Sequence, residues 1–87
     1  MSTVKIKFYA DPGHGWGAVK RQKLYELCIA DKITPYSYQK GGTVYLEEDL
    51  DLGTLVQALK AKGVEVQFKE KHTNKYSPIR SYNRYVA

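Results

Sequence analysis

With 87 residues, 43% hydrophobic and 26% charged, the chain has the composition of one globular domain around a single small core, too short for an enzyme built from two halves about a cleft. No apolar run approaches the roughly 20 residues needed to cross a bilayer, and the N-terminal MSTVKIKFYA alternates apolar and basic residues where a signal sequence would present an apolar block. The formal net charge of +5 divides into basic ends, +4 over residues 1–24 and +4 over 69–87, and an acidic centre of −3 over 25–68, a distribution able to steer a polyanion or an acidic partner.

In chain order, Val4, Ile6 and Phe8 alternate with Lys5, Lys7 and Tyr9, the period-two pattern of a half-buried strand. DPG (11–13) ends it, with Pro12 fixing φ and Gly13 supplying a positive φ for the turn. HGWGAV (14–19) fits either a second strand or an extended approach to a helix that starts near Lys20. On that helix Leu24, Leu27 and Cys28 share one face, so Cys28 is expected as a small buried hydrophobe. Pro35 forbids further helix. YSYQ and TVYLE, joined through KGG, then read as a β-hairpin carrying Tyr36, Tyr38 and Tyr45. Leu52, Leu55, Val56 and Leu59 fall at i, i+3, i+4 and i+7 of a second helix, closed by Gly63 in a left-handed C-cap. VEVQFKE follows as a strand with Val64, Val66 and Phe68 toward the core. The tail from Thr73 has Pro78 and no sustained period, and reads as an extended arm with at most a short strand or turn.

Gly13, Gly15 and Ala18 formally satisfy G-x-G-x-x-A, the dinucleotide fingerprint. The context defeats the match, because a hairpin follows instead of further βαβ units, and no G-K-[ST] is present to make a P-loop. His14 and His72 have no second ligand at metal spacing. The acids Glu47, Glu48, Asp49 and Asp51 suit the positive end of a helix dipole better than a cation site. No spacing assembles a nucleophile with a base. The lone Cys28 excludes a disulfide framework, so a cytoplasmic protein is expected. What stands out is tyrosine among cations: eight tyrosines in all, with Tyr76, Tyr82 and Tyr85 interleaved in the tail with Lys75, Arg80 and Arg84. Such a mixture suits single-stranded nucleic acid, which stacks its bases and pairs its phosphates. It also suits a protein interface, where Tyr and Arg are common anchors. A third reading is that the tail tyrosines fold back and complete the core.

HGW (14–16), IADKITPYSYQKG (29–41), VYLEED (44–49) and SPIRSY (77–82) together resemble a family of small proteins encoded by tailed bacteriophages. The resemblance spans most of the chain and brings no catalytic residues with it. Two positions depart from the family pattern: Cys28 stands where a Gly ends the first helix, and Leu50 where a Cys follows EED. The resemblance implies a protein made in an infected bacterium, and it draws attention to Trp16, Tyr36, Tyr38, Tyr45, Glu47, Glu48 and Asp49 as a recognition surface, with core packing the rival explanation for Trp16 and one or two tyrosines.

These readings converge on an α+β single domain: an antiparallel or mixed sheet of about four to five strands with two helices on one face. Residues 1–72 form the compact part and 73–87 a Tyr/Arg-rich arm that can dock on it. The leading functional expectation is a non-enzymatic phage accessory protein binding a host or phage macromolecule, foremost a protein, through the surface just named, in the cytoplasm of the infected host. The alternative is a nucleic-acid-binding protein using Lys75, Tyr76, Arg80, Tyr82, Arg84 and Tyr85. A further alternative is a small homo-oligomeric assembly protein that exposes sheet edges. No cofactor, metal ion or membrane is expected, and the state is monomer or small homo-oligomer.

Overall fold

The computed structural model describes residues 2–87 and shows an α+β domain built on one mixed six-stranded sheet, slightly larger than the four to five strands expected. Strand β1 (Ser2–Ala10) turns back into β2 (Gly15–Lys20), which runs into helix α1 (Arg21–Glu26). A 3₁₀ turn at Ala30–Lys32 leads to the hairpin β3 (Tyr38–Lys40) and β4 (Thr43–Glu47), then helix α2 (Asp51–Ala61), β5 (Val64–His72), a second 3₁₀ turn at Pro78–Ser81 and the short β6 (Asn83–Arg84). The order across the sheet is β5-β1-β2-β4-β3-β6, with β5 parallel to β1 and every other pair antiparallel.

Period-two alternation decides what each face of this sheet carries. Ile6, Val44 and Leu46 face the helices and pack with Leu24 of α1 and Leu52, Leu55 and Leu59 of α2 in one buried cluster. Ile29, Ala30 and Ile33 close it from the loop after α1. Both helices therefore lie on the same face. Each fully buried leucine contributes on the order of 1.5–3 kcal/mol relative to exposure. Gly63 ends α2 at φ +75° and Gly41 turns the hairpin at φ +60°, as their positions in the sequence require.

Of the two alternatives for HGWGAV the strand is the one formed: Gly15–Lys20 pairs on both sides, against β1 and β4, and His14 stays in the turn. Several other expectations are corrected. Gly13 does not adopt a positive φ; among glycines only Gly41 and Gly63 do. The turn at 11–14 is instead made by the Asp11 carboxylate, whose Oδ1 accepts from the N–H groups of Gly13 at 3.0 Å and His14 at 2.9 Å. Cys28 is exposed and lies beyond α1, not on its buried face. Phe68 is half exposed, because β5 is an edge strand whose second half runs past α2. The run after β4 does not cap α2 with a side chain. Asp51 is instead wholly buried, and its carboxylate accepts from the Thr34 N–H at 3.1 Å, the Thr34 hydroxyl at 2.7 Å and the Ser37 hydroxyl at 2.5 Å. Those charge-assisted bonds offset the desolvation of a buried carboxylate and pin the loop before β3 to α2.

The tail lies against the sheet. The Thr73 N–H donates to the Ala10 carbonyl at 2.9 Å, Ser77 and Ile79 are buried, and the Tyr85 N–H donates to the Ser37 carbonyl at 2.9 Å as β6 pairs with β3. No helix among the described residues is long and apolar enough to cross a membrane.

Candidate binding face

The helices cover one face of the sheet and leave the other to solvent and the tail. Opposite the core residues of β1 stand Lys5, Lys7 and Tyr9; β2 contributes Trp16, Ala18 and Lys20; β4 contributes Thr43, Tyr45 and Glu47. The register adds Tyr38 and Lys40 from β3, Arg84 from β6, and Glu65, Gln67, Lys69 and Lys71 from β5. The same alternation that buries Ile6 and Val44 and turns the half-buried Val4 and Val66 toward the core thus gathers cations and tyrosines on the reverse side.

The aromatic rings on this face touch one another. Tyr9 meets Tyr45 edge-on with centroids 6.1 Å apart, and Tyr45 meets Tyr82 at 5.3 Å. The Lys40 ammonium lies 4.8 Å from the centre of the Tyr82 ring, a cation–π contact. Burial, with the neighbouring Tyr82 and Tyr9 phenols, pushes the Tyr45 hydroxyl above its ordinary pKa, so it stays a neutral donor at physiological pH. Lys5, Lys7, Lys20, Lys69 and Lys71 stay exposed around this tyrosine cluster.

At the other end the tail folds over Trp16. The Arg80 guanidinium grips Asp11 through two bonds, Nε to Oδ2 at 2.6 Å and Nη2 to Oδ1 at 2.9 Å. Its plane lies 5.6 Å from the Trp16 ring centre and 4.6 Å from that of Tyr76. Arg84 sits 5.0 Å over Tyr38, whose ring packs edge-on against Trp16. Beside this stack is an open cleft of about 410 Å³ lined by His14, Trp16, Tyr36, Tyr38, Glu47, Asp49, Leu50, Arg80 and Arg84.

The two residue sets singled out from sequence therefore meet on one side of the molecule, with exceptions. Trp16, only 2% exposed, forms the floor of the cleft and offers no free face. Tyr36, Tyr38, Glu47 and Asp49 line the cleft; Glu48 lies outside it, beside Gly15, and Tyr45 belongs to the tyrosine cluster. From the tail set, Tyr82 and Arg84 are on the helix-free face, Lys75 and Tyr76 are exposed at its border, and Arg80 is engaged with Asp11. Tyr85 is corrected outright: it is buried on the helix side, its hydroxyl donating to the Ala30 carbonyl at 2.6 Å, so it cannot stack on a base. The sheet lysines carry most of the charge of this face and were not among the sequence candidates. Their signal was present in the alternation of VKIKFY and VQFKEK, where every second residue is a cation or a polar group.

Among the described residues no three His, Cys, Asp or Glu side chains converge as metal ligands would. The glycines Gly15 and Gly17 face the helix side, where a Cβ would lie 2.3 Å from Phe8 and 2.5 Å from Leu52, so their lack of a side chain is a packing requirement and not a phosphate cradle. Comparison with protein-family models, curated proteins and solved structures returns no match.

Proposed function

We propose that this chain is a non-enzymatic binding protein that holds a single-stranded nucleic acid across the helix-free face of its sheet. One observation carries the reading: Lys5, Lys7, Lys20, Lys40, Lys69 and Lys71 surround the Tyr9–Tyr45–Tyr82 cluster, while the acids Glu47 and Glu65 stand at the margins of the face. A flat basic surface with aromatic rings at its centre suits an unpaired strand, whose phosphates meet ammonium groups and whose bases have open π-faces. A duplex, with its bases stacked inside, gains only the charge term. The resemblance to tailed-bacteriophage proteins adds a setting, an infected bacterium in which phage and host single strands are both exposed.

Fluorescence anisotropy with labelled single- and double-stranded oligonucleotides over a salt series tests this. Single strands are expected to bind more tightly than duplex, with log K falling by roughly 0.7 per phosphate contact for each decade of salt. Lys7→Ala combined with Lys20→Ala should flatten that slope, and Tyr82→Ala should cost on the order of 1–3 kcal/mol of affinity. Binding that is equal for both forms, or indifferent to these substitutions, overturns the reading.

A host or phage protein remains the second reading, supported by a different observation. Tyr36, 66% exposed, and Leu50, 51% exposed, border the Trp16 cleft and present apolar area next to Glu47, Asp49 and Arg84. That mixture is what a protein hot spot uses, and Tyr36→Ala would weaken such a complex while leaving oligonucleotide affinity unchanged.

A further inference from the structure

Strand β5 ends the sheet, and nothing among the described residues pairs with its outer edge. The Thr73 N–H bonds to the Ala10 carbonyl, which fixes the phase of the parallel ladder: Glu65, Gln67, Lys69 and Lys71 direct their backbone groups to β1. Val64, Val66, Phe68, Glu70 and His72 therefore turn their N–H and C=O groups outward. This is a nine-residue edge, without proline or bulge, whereas the opposite edge, β6, has two residues. Long unprotected edges are templates for another strand.

We propose that this edge seats a second copy of the same chain, paired antiparallel about a two-fold axis through Phe68. The chemistry of the strand selects that partner and that register. An antiparallel strand must match outward-facing residues with outward-facing residues, so only registers centred on a residue are allowed. Centring on Lys69 sets lysine against lysine, centring on Glu70 sets glutamate against glutamate, and centring on Gln67 leaves Lys71 and His72 of each copy opposite residues that precede β5, without a strand partner. Centring on Phe68 pairs Glu65 with Lys71 of the second copy, twice by symmetry, and Gln67 with Lys69, and it uses the full length of β5. It also joins the two half-exposed Phe68 rings, each already edge-on to its own Phe8 at 6.1 Å, into one apolar patch on the helix side. The axis runs perpendicular to the sheet, so the two helix-free faces become one continuous surface.

Light scattering and sedimentation over a wide concentration range, on the full chain, test this through charge reversal. Glu65→Lys and Lys71→Glu should each weaken the dimer on the order of tenfold, and the double variant should restore it. Lys71→Glu also lowers the net charge from +5 to +3 and so relaxes general repulsion, which means that weakening by this variant reports the cross-strand pair. Phe68→Pro removes an outward-facing N–H together with the half-exposed ring that meets Phe8, leaves the bonds to β1 in place, and should give a folded monomer. A monomer at every concentration, a dimer untouched by the single reversals, or one that the double variant fails to restore overturns the proposal.

Discussion

Cys28 holds a backbone conformation that glycine would hold without strain. Its φ is +59°, it follows the α1 C-cap, and its surroundings form a Schellman motif: the Ile29 N–H donates to the Leu24 carbonyl at 2.9 Å and the Cys28 N–H to the Tyr25 carbonyl at 3.0 Å. Ile29 and Leu24 make the accompanying apolar contact inside the core. A non-glycine residue in this region is disfavoured by about 1–2 kcal/mol. The side chain is exposed, so no packing offsets that strain. Cys28→Gly is expected to raise stability by about 1 kcal/mol in urea unfolding, less a few tenths for the added freedom of the unfolded chain; a loss of stability would show that the thiol makes a contact of value.

At the scale of elements, β2 is the strand that the rest of the sheet is assembled around, and its glycines set how close α2 can come. A Cβ on Gly17 would lie 2.5 Å from Leu52 Cδ1 and 3.4 Å from Ile6 Cγ2, and both neighbours are buried. Gly17→Ala should therefore cost about 1–3 kcal/mol by overpacking, measured as a lowered urea midpoint, and adding Leu52→Ala should make the same glycine substitution nearly neutral. The elements with a strong local period were legible in the sequence: β1, the hairpin, α2 with Leu52, Leu55 and Leu59 buried, and the glycine cap at Gly63. Partner choice was not legible. Nothing in VEVQFKE says that it runs parallel to β1 at the sheet edge, and Phe68 came out half exposed because edge position, not alternation, decides its cover. The tail has no period at all; Ile79 and Tyr85 are buried by docking onto a surface that exists only after the sheet has formed. For the same reason the binding-face tyrosines were visible as a composition, whereas the sheet lysines needed the register to bring β1 and β5 side by side.

In the whole molecule, one ion pair ties the two ends of the chain together. Asp11 ends β1 and Arg80 lies in the tail, 69 residues away, and the carboxylate is wholly removed from water. Its other bonds, from the Gly13, His14 and Ser77 N–H groups, close the first turn and anchor the tail at one point. The Arg80 guanidinium, aided by those N–H groups and opposed by burial, holds the Asp11 carboxyl far below its ordinary value of 3.8. A carboxyl whose pKa is lowered on folding binds fewer protons in the folded chain, so its stabilisation is fully present above 3.8 and is lost as pH falls below that value. Asp11→Asn removes the charge and leaves the half-buried Arg80 against Trp16 with no anion. Its urea midpoint should fall well below that of the wild type at pH 7, and the gap should narrow steadily from about pH 4 downward as the Asp11 carboxyl of the unfolded wild-type chain takes up a proton that the folded chain does not. The gap should be indifferent to salt, because a pair with one partner excluded from water is little screened. Because the pair holds the tail over Trp16, the tryptophan emission of Asp11→Asn at neutral pH should shift to longer wavelength before global unfolding, as the tail lifts and water reaches the indole. A gap that stays constant from pH 7 to pH 2, or that closes with added salt at neutral pH, would place the pair on the surface and leave the tail held by Ile79 and Tyr85 alone.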